Sequence, residues 1–437
     1  MDTSRTTTVL AASVLLGAAA LATAPAAAAH PAAEPVTINV LSDVQGDLAD
    51  FGAVLDAYAS FPAADHMVVN GDLVPNGREA EYEAFFAVLG SREHPPASYT
   101  IGNHEFYSGA SSEVHVERFL RHTGMPRVHH TVMAGDVPVV HIGSLANPGR
   151  WAVGNQVELG AEQLAWLDAE LDRFDADRPV LVFGHHPLPH SVSGTVGEGR
   201  QDYYDLDYAE ADQLLAILGD HPNVVFFSGH THYSLERDDW MNRVVVEGGA
   251  AEGFLAVNTG AVQTEWGPNP GGPNRGEWSG PSSFKQALRV TVDGSEVEVT
   301  SLDFATGSAI RAVTVDVAGD LAPVEDADPV WPGDPLAPEP GADGALAAKR
   351  AEVRHGKKAE FSYTTDLPDR GNQVVVYPAG EITDDTEPVL RADASRAEGK
   401  VKFSTGDLTP GEYTAYLVTP QGRTSLADPV AFTVVDR

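Results

Sequence analysis

The chain has 437 residues, with 28 Lys and Arg against 63 Asp and Glu, a formal charge of −35. That length suits two or three domains, and 43% hydrophobic residues are enough for a buried core, which excludes wholesale disorder. Cysteine is absent, which excludes a disulfide scaffold, a thiolate metal site, a cysteine nucleophile and a cysteine-anchored lipoprotein. So negative a chain repels duplex nucleic acid, and a phosphorylated ligand would need a local cationic site.

Residues 1–8 carry one arginine, Arg5, and 9–21 are an apolar stretch. The alanines at 26–29 then offer a small-residue cleavage site before His30. A membrane span needs about 20 apolar residues, and this stretch is shorter. The expectation is a signal peptide over 1–29, a secreted protein and no transmembrane anchor.

Beyond the signal, short apolar runs alternate with helical periods. Strands are expected at 36–41, 66–69 and 98–101, with helices at 48–58, 79–89 and 113–121 between and after them. A strand pair follows at 128–132 and 137–142, turning at Gly135-Asp136. Gln163, Trp166, Leu167 and Leu171 mark a helix, then 180–183 and 224–227 read as strands with a helix near 208–218. Strands at 244–247, 287–292, 296–302 and 310–315 close an α/β pattern spanning 36–317.

Residues 318–346 hold six prolines and seven acidic residues without Lys or Arg, and read as an extended acidic linker. The tail is different. Five of the six lysines lie in 349–437, where 12 basic residues nearly balance 14 acidic ones. Short alternating runs at 359–364, 373–377, 401–404, 413–418 and 430–434, separated by turn residues, predict a β-sandwich over 347–437.

The chemistry lies in five strand-like runs of the large domain. Each stops at a small residue and is followed by a metal-ligand type. They end in Ser42-Asp43, Gly71-Asp72, Gly102-Asn103-His104-Glu105, Gly184-His185-His186 and Gly229-His230-Thr231-His232. In α/β sheets ligands bind beyond the carboxyl ends of strands, so these side chains should share one rim. Glycine before a ligand allows a sharp turn and a close backbone approach. Two Asp, one Asn and three His suit Mn, Fe(II) or Zn rather than a calcium cage. They are too many for one tetrahedral zinc, and a pair of ions would clamp a phosphoryl group.

In order and spacing these motifs resemble the calcineurin-like metallophosphoesterase superfamily, whose pattern is D-x-H, G-D, G-N-H-E/D, a histidine after a strand, and G-H-x-H. The matching segments are Asp43-Val44-Gln45, Gly71-Asp72, Gly102-Asn103-His104-Glu105, Gly184-His185-His186-Pro187 and Gly229-His230-Thr231-His232. The resemblance covers 38–250 and extends toward 317. It implies a four-layer α/β/β/α sandwich; the C-terminal β-sandwich, read from its own strand pattern, is expected to be Ig-like. It also implies a secreted phosphoesterase that splits phosphate mono- or diesters with a metal-bound hydroxide. Two divalent ions (Mn, Fe or Zn) are the implied cofactors. By the same resemblance Asp72 bridges the two ions, Asp43 and His232 hold the first, and Asn103, His185 and His230 hold the second. His104 contacts the phosphate and protonates the leaving group, and Glu105 orients His104.

Two departures stand out. Gln45 occupies the place of a usual histidine ligand; its amide oxygen is a weaker donor, so the first ion should bind less tightly or favour Mn or Fe(II) over Zn. Pro75 stands where purple acid phosphatases carry a tyrosine ligand, which argues against a true purple phosphatase. His186 is a candidate substrate contact. The long segments 189–208 and 263–283 offer further ones in Arg200, Trp266 and Arg275, facing a phosphorylated small-molecule or nucleotide-like substrate. His129, His130 and His141 are expected to be structural. The C-terminal domain is expected to be accessory, with cell-envelope glycan contact as one role. Two other readings remain: a metal- or phosphate-binding surface protein whose catalysis is weakened through Gln45, and an adhesion protein that uses the large domain as scaffold.

Overall fold

The computed structural model describes residues 34–147, 157–195, 204–268, 277–280, 283–319, 321–326, 329–332, 344–365, 372–379, 388–418 and 426–436. The signal peptide expected at 1–29 lies outside them, as do Arg200 and Arg275.

The first half alternates strand and helix as the periodicity predicts: β1 (Val36–Leu41), α1 (Leu48–Ala59), β2 (His66–Asn70), α2 (Glu79–Leu89), β3 (Ala97–Thr100) and α3 (Ser112–Thr123). The hairpin β4 (His130–Ala134) and β5 (Val137–His141) comes next, then α4 (Gly160–Leu171), β6 (Val180–Phe183), α5 (Ala211–Gly219) and β7 (Val224–Ser228). Strands β8 (Met241–Val244), β9 (Phe254–Asn258), β10 (Trp266–Pro268), β11 (Glu277–Ser279), β12 (Gln286–Asp293), β13 (Glu296–Asp303), β14 (Ser308–Asp316) and β15 (Val324–Glu325) complete this part. Local chemistry sets the helix ends. The Asp47 carboxylate accepts from the Asp50 N–H at 3.1 Å to start α1. Gly124 closes α3 at φ 72°, in the left-handed region.

Two sheets carry the fold. One has the order β15-β14-β13-β12-β1-β2-β3, and the other β4-β5-β6-β7-β9-β8. Alternate strand residues explain how they stack. Ile38, Val40 and Val68 from the first sheet share one apolar cluster with Val139, Leu181, Phe183, Val225 and Phe227 from the second. The other face of the first sheet, with Leu41, Met67 and Val69, packs on α1, α2 and α3 through Phe51, Phe85 and Phe119. The other face of the second sheet, with Val140, Val182 and Phe226, packs on α4 and α5 through Leu167 and Leu214. Burying each such side chain contributes about 1.5–3 kcal/mol, so the paired sheets are the main stabilising element.

The structure departs from the sequence expectations in three places. The strand expected at 244–247 runs instead over Met241–Val244, with Val245 exposed, because Met241 and Val244 face the core. β9, which the sequence reading did not single out, lies between β7 and β8. The expected linker is not free along its length. Leu321 is buried in the inter-sheet core, Val324–Glu325 pairs with β14, and the Trp331 indole meets the Phe61 and Phe304 rings at 5.0 and 5.3 Å. Apolar residues inside an acidic, proline-rich stretch hold its first half down.

His141 is a buried structural group, as expected. Its Nδ1 lies 2.9 Å from Thr100 Oγ1 and its Nε2 2.8 Å from Ser98 Oγ, which also meets His66 Nε2 at 2.8 Å. His130 stacks on it at 4.5 Å. Burial pushes His130 down to about 4. The unfolded chain therefore takes up a proton near the ordinary value of 6.5 while the folded one resists, so stability present above 6.5 is lost as pH falls toward 4. The expected contribution to the slope is at most about 1.4 kcal/mol per pH unit. His130→Leu should flatten the urea midpoint against pH in that window; an unchanged slope would mean this imidazole does not resist protonation.

The C-terminal strands form two sheets. Ala345–Ala348, Lys358–Thr364 and Glu398–Ser404 make one. Glu352–Arg354, Val430–Val435, Gly411–Val418, Gln373–Pro378 and Leu390–Asp393 make the other, in that order. Phe361, Tyr363 and Phe403 from the first share a core with Val376, Leu417 and Phe432 from the second. The Tyr413 hydroxyl donates to the Thr409 carbonyl at 2.7 Å, locking the turn before its strand.

Candidate metal centre

The five motif-bearing strands come from both sheets: β1, β2 and β3 from one, β6 and β7 from the other. Asn70, at the end of β2, ties the two edges. Its side-chain amide donates to the carbonyls of Gly184 and Phe227, each at 3.2 Å. Its own carbonyl accepts from His185 Nδ1 at 2.8 Å. The shared rim expected of one sheet is thus a seam between two.

Local backbone geometry turns the donors inward. Asp43, Gln45, Asp72, His230 and His232 have φ of 55°, 45°, 53°, 68° and 55°. Left-handed backbone is unusual for such residues and costs of order 1 kcal/mol or more each, and it gathers at functional sites. Close approach explains the glycines. A Cβ on Gly71 would collide with the His185 ring, one on Gly102 with the Asp72 carboxylate, and one on Gly229 would lie 2.6 Å from Asp43 Oδ2.

Asp43 and Asp72 are fully buried. His232 Nε2 lies 3.0 Å and His185 Nε2 3.7 Å from Asp43 Oδ1. His185 Nε2 is also 3.2 Å from Asp72 Oδ2. The outer nitrogens of both imidazoles are spoken for: His185 Nδ1 by the Asn70 carbonyl, and His232 Nδ1 by the Thr264 carbonyl at 2.7 Å. Both Nε2 atoms are thereby aimed at the carboxylates. Asn103 is oriented too, because its amide nitrogen donates to the Tyr107 hydroxyl at 2.6 Å. Its oxygen is left without a hydrogen-bond partner, while Asp43 Oδ1 and His185 Nε2 meet only other members of the cluster. Donor atoms of Asp72, His185 and His230 lie within 4.8 Å of one another. Unpartnered buried oxygens and nitrogens are rare and costly, and this cluster fits divalent cations.

The electrostatics agree. Burial opposes charge on His185, but the Asp72 and Asp43 carboxylates outweigh it and push the imidazole up to about 10. Burial likewise opposes charge on Asp72, and His185 and His104 hold it well below the usual carboxylate range. Two buried carboxylates thus demand positive charge at their centre.

Two roles expected from the sequence are corrected. Glu105 does not orient His104. Its carboxylate accepts backbone N–H bonds from Gly102 at 2.7 Å, Asp72 at 3.1 Å and Val74 at 3.3 Å, so it holds the two ligand loops together. Burial, with the Asp72 charge beside it, pushes Glu105 up to about 8. His104 is oriented instead by the Pro75 carbonyl, 3.0 Å from its Nδ1, which leaves Nε2 on the site side, 3.8 Å from Asp72 Oδ2. His186 is only 2% exposed and packs on His230 with ring centroids 4.3 Å apart. It backs His230 rather than opening to the surface.

Trp266 is 37% exposed, and its backbone N–H donates to the His232 carbonyl at 2.9 Å, so it stands at the edge of the centre. The two long segments meet there. Tyr204 OH donates to the Glu277 carboxylate at 2.9–3.0 Å, and its ring lies 5.0 Å from that of His230. Asp207 is a group the sequence reading missed. It is buried, its Oδ2 lies 3.5 Å from His230 Nε2, and burial holds its carboxyl well above the usual range. No spacing signal marks it, because it falls in an acid-rich loop.

Fold and site together define a two-sheet α/β protein with a buried oxygen and nitrogen donor cluster at the seam. Residues 36–234 match the calcineurin-like phosphoesterase family, and 235–329 match a domain of unknown function, DUF4073. The boundary at 234 is not a structural one, since β8 and β9 complete one sheet and β12–β15 the other. The chain is 27% identical over 173 residues to a probable glycerophosphodiester phosphodiesterase GpdQ of Arcobacter nitrofigilis. It is 30% identical over 197 residues to the glycerophosphodiester phosphodiesterase GpdQ of Enterobacter lignolyticus. These matches span 39% and 44% of this chain, and 58% and 63% of the relatives' lengths. A purple acid phosphatase, PPD1 of yellow lupin, superposes with a TM-score of 0.47 at 14% identity, over 65% of this chain and 54% of that one. Residues 36–234 form a calcineurin-like phosphoesterase region, and the chain spans less than two thirds of the length of the two relatives.

Proposed function

We propose that the protein is a secreted, metal-dependent hydrolase of phosphate mono- or diesters, acting at a centre with donors for two divalent ions. The observation that carries this reading is the buried donor cluster of Asp43, Asp72, Asn103 and His185, whose nitrogen and oxygen atoms converge on one another and whose Asn103 oxygen has no hydrogen-bond partner. Asp72 is the shared donor, Asp43 and His232 serve the first ion, and Asn103, His185 and His230 the second. Bound divalent ions supply Lewis acidity toward the phosphoryl oxygens and acidify a water. The chain's own residues do the rest. His185 and His232 are held in one tautomer by backbone carbonyls, so their donors need no reorganisation. His104 presents Nε2 to the site and gives a proton to the departing oxygen. Glu105 keeps the loops carrying Asp72 and Asn103 in register.

The names of the two GpdQ relatives support a small phosphodiester as substrate. Trp266 and the Tyr204–Glu277 contact supply a rim for its organic part. The two facing sheets with helices outside support the four-layer α/β/β/α reading, and the Tyr413 turn supports an Ig-like C-terminal domain. Export is proposed from the sequence of 1–29 alone, and the glycan role from the sequence of 347–437 alone.

The test is hydrolysis of bis-p-nitrophenyl phosphate and p-nitrophenyl phosphate by residues 30–437 with Mn, Fe(II), Zn or Co. Metal-dependent turnover, faster on the diester, is the expected result. No turnover with any of the four would overturn the enzymatic reading in favour of a binding protein.

A further inference from the structure

A cavity of about 410 Å³ lies between β4, an edge strand of the second sheet, and helix α4. That volume is in the usual range for a small-molecule site. The cavity shares no residue with the metal centre. Glu170 joins its two walls: one carboxylate oxygen accepts from Thr131 Oγ1 on β4 at 2.8 Å, the other from Arg173 at 2.6 Å. The single acid of the pocket is thus engaged within the protein. The groups left over are different in kind. Among the described residues the Arg127 guanidinium has no ion pair and no hydrogen bond, in a chain with 63 acidic residues against 28 basic ones. Arg173 meets Glu170 through one nitrogen, and its side chain stays 67% exposed at the rim. His129 is 8% exposed, yet neither of its ring nitrogens has a hydrogen-bond partner. Burial, with the Arg127 charge beside it, holds this imidazole below its ordinary range, so it is neutral and has one N–H to give. Its ring leans on the Trp166 indole, with centroids 4.7 Å apart.

A buried polar side chain without a partner is rare in a folded protein and points to one that is missing. The missing partner here accepts hydrogen bonds, because Arg127, Arg173 and the His129 N–H all donate. A guanidinium fork matches the paired oxygens of a carboxylate or a phosphoryl group. The indole face of Trp166 suits a flat apolar body. We propose that this pocket binds a small organic anion, its charged oxygens on Arg127 and the His129 N–H and its planar body against Trp166. An anion there also accounts for an arginine left unpaired in so acidic a chain. The inference uses none of the metal donors, so it stands or falls independently of the phosphoesterase reading.

Titration calorimetry on the full chain tests this with benzoate, phenylphosphonate and benzyl alcohol, which share a ring and differ in charge. None is an ester, so nothing is turned over. One anion should bind per chain, and benzyl alcohol should not. Binding of benzoate alone identifies the natural charge as a carboxylate, and binding of phenylphosphonate alone as a phosphoryl group; either supports the site. Arg127→Gln, at an exposed position, should weaken anion binding at least about tenfold, the scale of one charge-assisted hydrogen bond. Binding should also quench indole fluorescence, and Trp166→Phe should remove that change. Asp72→Asn disables the metal donors and should bind the anions as the wild type does. Four results overturn the inference: no binding of either anion, equal affinity in Arg127→Gln, benzyl alcohol binding as tightly as the anions, or binding lost in Asp72→Asn, which would assign the anion to the metal centre.

Discussion

Asp72→Ala is expected to abolish metal-dependent turnover and to weaken metal binding by more than about 100-fold, the upper range for losing groups that merely support ligands. The reason is the number of duties on one carboxylate. Oδ2 faces His185 at 3.2 Å and Gln45 at 3.0 Å, while Oδ1 accepts the His104 backbone N–H at 2.8 Å. Removing it takes away the shared donor and frees the loop that carries His104. The readout that separates a lost ligand from a misfolded chain is thermal. Added Mn²⁺ stabilises a binding-competent protein by about 2.7 kcal/mol at a hundredfold excess over its dissociation constant. In the wild type the melting temperature should rise with Mn²⁺, and in Asp72→Ala it should not. Asp72→Asn keeps the shape and the left-handed tolerance of the site, and should lose the same response. A metal-induced rise that survives in both variants would remove Asp72 from the centre.

Much of this site was legible in the sequence because strand ends and metal donors leave a joint signature. A short apolar run, a glycine and a ligand type, repeated five times, located Asp43, Asp72, Asn103, His185, His230 and His232, and the structure brings their loops to one seam. The α/β alternation was legible in the same runs, but the division into two sheets came only with the resemblance, because strands such as Val180–Phe183 and Val224–Ser228 are buried on both faces and their apolar runs do not say which sheet they join. What stayed hidden depends on contacts between distant segments. Asn70 looks like one more strand residue, yet its amide ties the two sheets beneath the site. Glu105 sits beside His104 in sequence, but its carboxylate turns to three backbone N–H groups, and the carbonyl of Pro75 takes over the imidazole. Trp331 and Leu321 lie in a stretch whose composition says linker; the ring cluster of Phe61 and Phe304 holds the first, and the inter-sheet core holds the second. The left-handed backbone of five donors was equally invisible, because it is imposed by bonds such as Gln45 N–H to the Asp72 carbonyl rather than by local propensity.

His104→Ala is expected to slow hydrolysis of an alkyl phosphodiester by on the order of 10²–10⁴-fold, while hydrolysis of a p-nitrophenyl ester falls far less. An alkoxide is a strong base and leaves only with a proton; p-nitrophenolate is stable without one. The geometry assigns that proton to Nε2, because Nδ1 is engaged by the Pro75 carbonyl at 3.0 Å and the ring is steadied against Tyr107 at 4.7 Å. The side chain is about 20% exposed, enough to be reprotonated from solvent after each cycle. A merely structural role would slow all esters alike. The measurement is therefore kcat across a series of leaving groups, wild type against variant, at saturating metal. A steep dependence on leaving-group basicity that appears only in His104→Ala supports proton donation. Parallel lines would show instead that His104 holds the ground-state phosphate, and would move the proton donor to another group at the rim. Metal content of the variant should stay at the wild-type level, since the imidazole reaches Asp72 Oδ2 only at 3.8 Å and is not among the clustered donors of Asp72, His185 and His230.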